Sequence, residues 1–119
     1  MAENSILNDV KAVIGIMDDY GYYDPQIIMH INTMFEALNQ MGVGPEVPYH
    51  ITGVENTWDE FTTGSVCSIE SVKTYIGLRV RIVFDPPNNS SLIEATNKLI
   101  EEFEWRLRFG SADARNEGI

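Results

Sequence analysis

The chain has 119 residues, which is one domain's length and enough to enclose one core without disulfides or metals. Eighteen acidic residues against eight basic ones give a net charge of −10, which argues against a nucleic-acid binder with a basic footprint and against docking on anionic lipid. A hydrophobic content of 44% is too high for a disordered acidic tail, and the apolar runs are too short to span a membrane.

The stretch Met1–Ile6 has neither a basic start nor an apolar core, so no secretory signal is expected. Cys67 is the only cysteine and has no internal partner for a disulfide, which fits a reducing cytoplasm. Ile6, Leu7, Val10, Val13, Ile14 and Met17 recur at spacings of three and four and predict a first helix near residues 5–17. Asn4 or Ser5 can cap it, while Gly15 weakens it. Asp18–Tyr23 reads as a turn around Gly21. Asp24 followed by Pro25 then starts a second helix, Asp as the cap and Pro in the first turn. Ile27, Ile28, Ile31, Met34, Phe35, Leu38 and Met41 carry it over residues 25–41, and Gly42 stands where a left-handed cap favours glycine.

Residues 42–67 are broken by Pro45, Pro48, Gly53 and Gly64, and so long a loop is unusual in a compact domain. Thr57 with Glu60 makes a capping box for a short helix at 58–61, and Tyr49–Val54 could be extended. The segment 69–84 supports two periods. Ile69, Val72, Ile76, Val80 and Val83 make a helical stripe, whereas Ile76, Leu78, Val80, Ile82 and Phe84 alternate as in a strand. The helix is favoured because the stripe begins at Ile69 and sixteen residues exceed ordinary strand length. Pro86 requires it to stop by Asp85. A linker at Asn88–Ser90 leads to a capping box, Ser91 with Glu94, and to a last helix near 92–109. Its inner stripe reads as Leu92, Ala95, Thr96, Leu99, Phe103 and Leu107, with Gly110 as its end. The expected fold is thus mainly α: a compact bundle of four longer helices plus a short helix in a long loop. Residues 1–110 form the domain and 111–119 a polar, flexible tail.

Three outer faces stand apart from these stripes. On the last helix Trp105 falls nearly opposite Phe103 and Leu99, beside Glu94, Lys98 and Glu101, with Phe109 at the flank. Either a partner covers Trp105 or the 42–67 loop folds over it. In the 69–84 helix Leu78 and Ile82 oppose Ile76 and Val80, so that helix is either the buried middle of the bundle or faces another subunit. In the second helix Met29, Asn32, Thr33, Glu36 and Gln40 make a polar face of low charge, suited to subunit packing or to solvent.

Catalytic groups do not converge. His30 and His50 lack any metal-ligand spacing, and there is no nucleophile elbow, phosphate loop or dinucleotide glycine pattern. His30 flanks the second helix's core stripe and reads as structural. Glu101, Glu102 and Glu104 spread around a helix with Arg106 and Arg108 close behind, as on a solvated face. Asp18, Asp19 and Asp24 lack the spacing of a calcium loop. No enzyme activity, cofactor or metal is expected.

The segments IIMHINTMFEALNQMGVGP, VKTYIGLRVRIVFDPP and NKLIEEFEWRLR resemble the small head-tail connector proteins of long-tailed bacteriophages and prophages. The resemblance runs from Ser5 to Arg108 and is looser in the 42–67 loop. It implies a mostly helical, non-catalytic virion protein that forms a ring, of about twelve copies, under the portal and extends the DNA channel towards the tail. The implied partners are the portal protein, neighbouring copies and the next neck or tail protein. The implied locations are the virion neck and, before assembly, the host bacterial cytoplasm. Candidate residues for the subunit or portal interface are Trp105, Arg106, Arg108, Phe109, Leu78 and Ile82. An acidic DNA mimic of phage origin is the competing reading, although mimicry needs long rows of carboxylates and these are interspersed with core positions. The charge predicts no duplex binding. A gel-shift titration at physiological salt should show no shift, and submicromolar binding contradicts the expectation.

Overall fold

The computed structural model describes residues 4–45, 47–62 and 69–117, and of residues 62 and 109–117 the backbone alone. Five helices follow in order among these residues: α1 Ile6–Val13, α2 Asp24–Gln40, α3 Trp58–Thr62, α4 Ile69–Phe84 and α5 Ser90–Glu117. No strand occurs among them, the extended pairing being an isolated bridge between Ser5 and Thr57. The fold is mainly α, as the periodicity predicts. Cys67 lies outside the described residues.

Ser5 caps α1, its side chain accepting the Asn8 N–H at 3.3 Å. The helix stops at Val13, four residues short of the expectation, because Gly15 takes φ +82° and closes the end. Ile16 N–H donates to Lys11 O at 2.8 Å and Gly15 N–H to Ala12 O at 3.3 Å, the paired bonds of a Schellman motif. Met17 therefore leaves the apolar stripe and is 72% exposed. The same device ends α2. Gly42 has φ +83°, Val43 N–H donates to Leu38 O at 2.9 Å, and Gly42 N–H donates to Asn39 O at 3.0 Å. At the start of α2 the cap differs from the expectation. Tyr23 is the N-cap without a side-chain bond, and Asp24, the first helical residue, places Oδ1 2.9 Å from Lys11 Nζ. Asp24 Oδ1 is shut off from solvent and receives no well-directed hydrogen bond, so the ammonium charge is what meets it.

The loop between α2 and α3 is stitched down by side-chain amides. Asn32 on α2 donates to Ile51 O at 3.1 Å and accepts from Ile51 N–H at 2.7 Å. Asn39 donates to Pro45 O at 3.1 Å. Further along, Ile6 N–H donates to Asn56 O and Trp58 N–H to Asn4 O, each at 3.1 Å. Tyr49–Val54 gains no strand partner; Ile51 is buried instead. The ring of Phe35 collects Phe61, Tyr49 and Trp58 at centroid distances of 4.9, 5.3 and 6.4 Å. Half of the expected capping box forms at α3, where Glu60 accepts the Thr57 N–H at 3.0 Å. That bond and one from Tyr49 Oη, at 2.8 Å, hold the Glu60 carboxyl below its ordinary pKa.

Helix α4 wins its place over the alternating pattern. Its buried residues Val72, Tyr75, Ile76 and Val80 follow helical spacing, and it packs against α1, α2 and α5. At Gly77 a Cβ would lie 3.1–3.2 Å from the Val13 methyls, so α1 approaches α4 where no side chain intervenes. The molecule measures 45 × 36 × 19 Å, and its least dimension admits about two helix layers.

Asn89, not the Ser91–Glu94 pair, caps α5, accepting from the N–H groups of Ser91 at 2.7 Å and Leu92 at 3.4 Å. The inner face also differs from the expected one. Ile100 and Leu107 are buried and Ile93, Thr96 and Phe103 half-buried, whereas Leu92 and Leu99 are exposed. The helix is thus turned by roughly 60° from the expected stripe. It also runs through Gly110 to Glu117 rather than ending there. A helical glycine costs only about 1 kcal/mol, and Ala112 and Ala114 beyond it are strong helix formers.

The glycines give a graded stability test. Gly15 has positive φ but open space where a Cβ would stand, whereas at Gly44 (φ +92°) a Cβ would lie 2.7 Å from a Phe61 ring carbon. Gly15→Ala should cost only the backbone strain, roughly 1–2 kcal/mol, and Gly44→Ala that strain plus about 1–3 kcal/mol of overpacking. Urea denaturation of the two variants checks the order.

Candidate subunit interface

The outer face of α5 is set by its neighbours. Helix α5 packs mainly on α4, so the side turned away from α4 meets solvent. Trp105 lies there, 63% exposed, with Arg106 and Arg108 exposed beside it. Arg106 pairs with Glu102 one turn back and stacks over the Phe103 ring at 5.6 Å. Within the 42–67 loop Trp58 and Phe61 are buried against Phe35, and residues 63–67 lie outside the described residues. The Phe109 side chain lies outside the described residues.

Leu78 and Ile82 do not join this face. They are half-buried and packed against the core, because α4 is the middle helix. On α2, Met29, Thr33, Glu36 and Gln40 are exposed as expected, whereas Asn32 is turned to the loop. His50 Nε2 sits 3.5 Å from Glu36, and half-buried His30 lines an open groove with Tyr23 and Phe84. Among the described residues no group of histidine, cysteine or carboxylate side chains could hold a metal, and no helix is long and apolar enough to cross a membrane.

A polar triad fixes α5 against α4. Tyr75 Oη donates to Glu104 Oε2 at 2.7 Å, and Arg79 Nη1 donates to both, at 2.8 Å each. The contact sets the register. From Glu104 back to Ser90 is about 21 Å of helix, and from Arg79 forward to Phe84 only about 7 Å. The first turns of α5 therefore overhang the end of α4, and Leu92 there is 56% exposed.

A second surface lies at the α1–α2 turn. Tyr20, Tyr22 and Tyr23 are exposed yet touch one another, with Tyr22 edge-on to Tyr23 at 4.9 Å. Tyr23 in turn packs edge-on against Phe84 of α4 at 5.2 Å. The turn is held from beneath by Lys11, which is fully buried and donates to Asp18 O at 3.1 Å while pairing with Asp24. Sequence reasoning places Asp18–Tyr23 as a mere turn. The signal available is three tyrosines within four residues, too many for a turn that only connects.

Both surfaces expose aromatic side chains to solvent. The sequence signature of the phage connector protein family matches residues 6–113. The chain belongs to that family, and is accordingly a structural connector-type protein of bacteriophages. Searches of curated proteins and of solved structures gave no match.

The triad makes stability pH-dependent at the alkaline end. Burial, together with the bond to Glu104, raises Tyr75 from 10.0 to about 12. Between those values the unfolded chain releases the phenol proton and the folded chain keeps it, so stability falls as pH rises through the window and is constant below it. The urea midpoint should drop between pH 10 and about 12, and Tyr75→Phe should drop less.

Proposed function

We propose that this protein is a head-tail connector of a long-tailed phage or prophage, one copy of a ring of about twelve seated under the portal. The ring extends the DNA channel towards the tail. Its partners are the portal protein, neighbouring copies and the next neck or tail protein. It resides in the virion neck and, before assembly, in the host cytoplasm. The observation that carries this reading is the family match across nearly the whole chain. The geometry supports it with the outward face of α5, where Trp105, Arg106 and Arg108 are exposed. Tryptophan and arginine are the residue types that most often dominate interface energies. Residues 111–119, beyond the 1–110 body, extend the same contact. Leu78 and Ile82 add at most the half-buried edge of α4.

The charge suits a conduit. A lumen lined by subunits of −10 each repels phosphates and lets the duplex slide, within a screening length of about 8 Å at physiological salt. A connector needs no catalytic group. Trp105→Ala should leave the fold intact, Trp105 being 63% exposed, and weaken association with portal rings by about 2 kcal/mol. Mass measurement of portal rings titrated with each protein reads this out. Unchanged association overturns the α5 contact.

A further inference from the structure

We infer that the tyrosine turn of one copy docks on the Trp105–Arg108 face of α5 in the next copy. The inference rests on the connector reading above and names the partner surface that it leaves open.

The argument begins with charge. Two copies of a −10 chain repel, so a stable contact between them must bring scarce cations against carboxylates. Lys11 is buried with Asp24, Arg79 is engaged by Glu104, and Lys73 lies beside Glu70 as Arg106 does beside Glu102, this last pair being open to solvent. Among the basic side chains described, Arg81, Lys98, Arg106 and Arg108 are the exposed ones, and three of the four are on α5. The complementary surface must be acidic, apolar and not already covered. The α1–α2 turn has this character: Asp18 and Asp19 are exposed next to Met17, Tyr20 and Tyr22, and Tyr22 is 76% exposed. Tyrosine faces also accept arginine and tryptophan, through cation–π and edge-on contacts.

Rigidity favours the same pairing. The turn is preset by the Gly15 cap, the Lys11 bond to Asp18 O, a Tyr20 N–H to Met17 O bond at 3.0 Å, and Tyr23 against Phe84. The face opposite is part of a long helix. Both sides therefore lose little freedom on docking. The surfaces are different patches on different elements, so the contact is heterologous and repeats from copy to copy, as a ring requires.

The test uses two charge-reversed full-length chains, Asp18→Lys/Asp19→Lys and Arg106→Glu/Arg108→Glu, in sedimentation equilibrium up to millimolar concentration. Each variant alone should associate at least about tenfold more weakly than the wild type. An equimolar mixture should recover association, since each reversed surface then finds its opposite on the other variant. Tyr22→Ala, which changes no charge, should weaken association with an unaltered melting curve. Monomeric wild type at millimolar concentration, or a mixture no stronger than either variant, overturns the inference. If Trp105→Ala lowers portal binding while the charge variants leave self-association untouched, the connector reading stands and this pairing falls. If Trp105→Ala changes neither, the α5 contact and this pairing both fall, and the connector reading keeps its family match.

Discussion

A helix with apolar side chains on both sides has no stable position except between others. In α4 only Glu70, Thr74 and Arg81 along one narrow strip, with Val83 near its end, are fully exposed. Every other longer helix is placed by what it covers on α4: α1 by close approach at Gly77, α2 along the buried Ile31–Phe35–Leu38 side, and α5 by the Tyr75–Arg79–Glu104 triad. Because α1 and α2 share one part of α4, α5 takes another largely by itself. Its far side is then solvent-exposed by construction, and that is where Trp105 stands.

The second organising fact is the scarcity of positive charge. A buried lysine is expensive unless a carboxylate and further polar groups meet it. Lys11 has both, in Asp24 and the Asp18 carbonyl. That pair joins the end of α1 to the start of α2 and so fixes the path of the turn between them. The two charges cancel, so the net charge of −10 is carried by the other side chains. The same pair presents the tyrosines.

Much of this was legible in the sequence where local signals agree with packing. The α2 stripe ends at Gly42, and both the helix and the left-handed cap form there. Thr57 and Glu60 mark α3, and the stripe from Ile69 marks α4. The failures lie where one residue type serves two ends. Gly15 reads as a weak point within a helix, but its freedom of φ makes it the terminator of α1. Gly110 reads as a terminator, but the helix passes through it. Ser91 and Asn89 are both good caps, and Asn89 wins by position. For α5 the apolar residues nearly encircle the helix between Leu92 and Leu107, so periodicity fixes its face only to within about a third of a turn; contact with α4 settles the rest. Trp105 was legible because every such rotation leaves it outside. Lys11 was not, since burial of a lysine depends on what packs around it, and of the tyrosine turn the sequence shows three tyrosines within four residues but not their packing on the distant Phe84.

Dependence on a single neighbour also gives α5 a mechanical role. Among its described side chains Ile100 and Leu107 are the buried ones, with Ile93, Thr96 and Phe103 half-covered. An element with few buried contacts opens locally at less cost than the whole fold. The triad raises that cost at one point, near the middle of the helix, while Ser90, Ser91 and Leu92 of the first turn are exposed. A helix so pinned can adjust its first turn to a partner without disturbing α1, α2 and α4. In the proposed ring subunit that division leaves adaptability at the start of the outer helix and rigidity at its pinned centre and on the tyrosine turn.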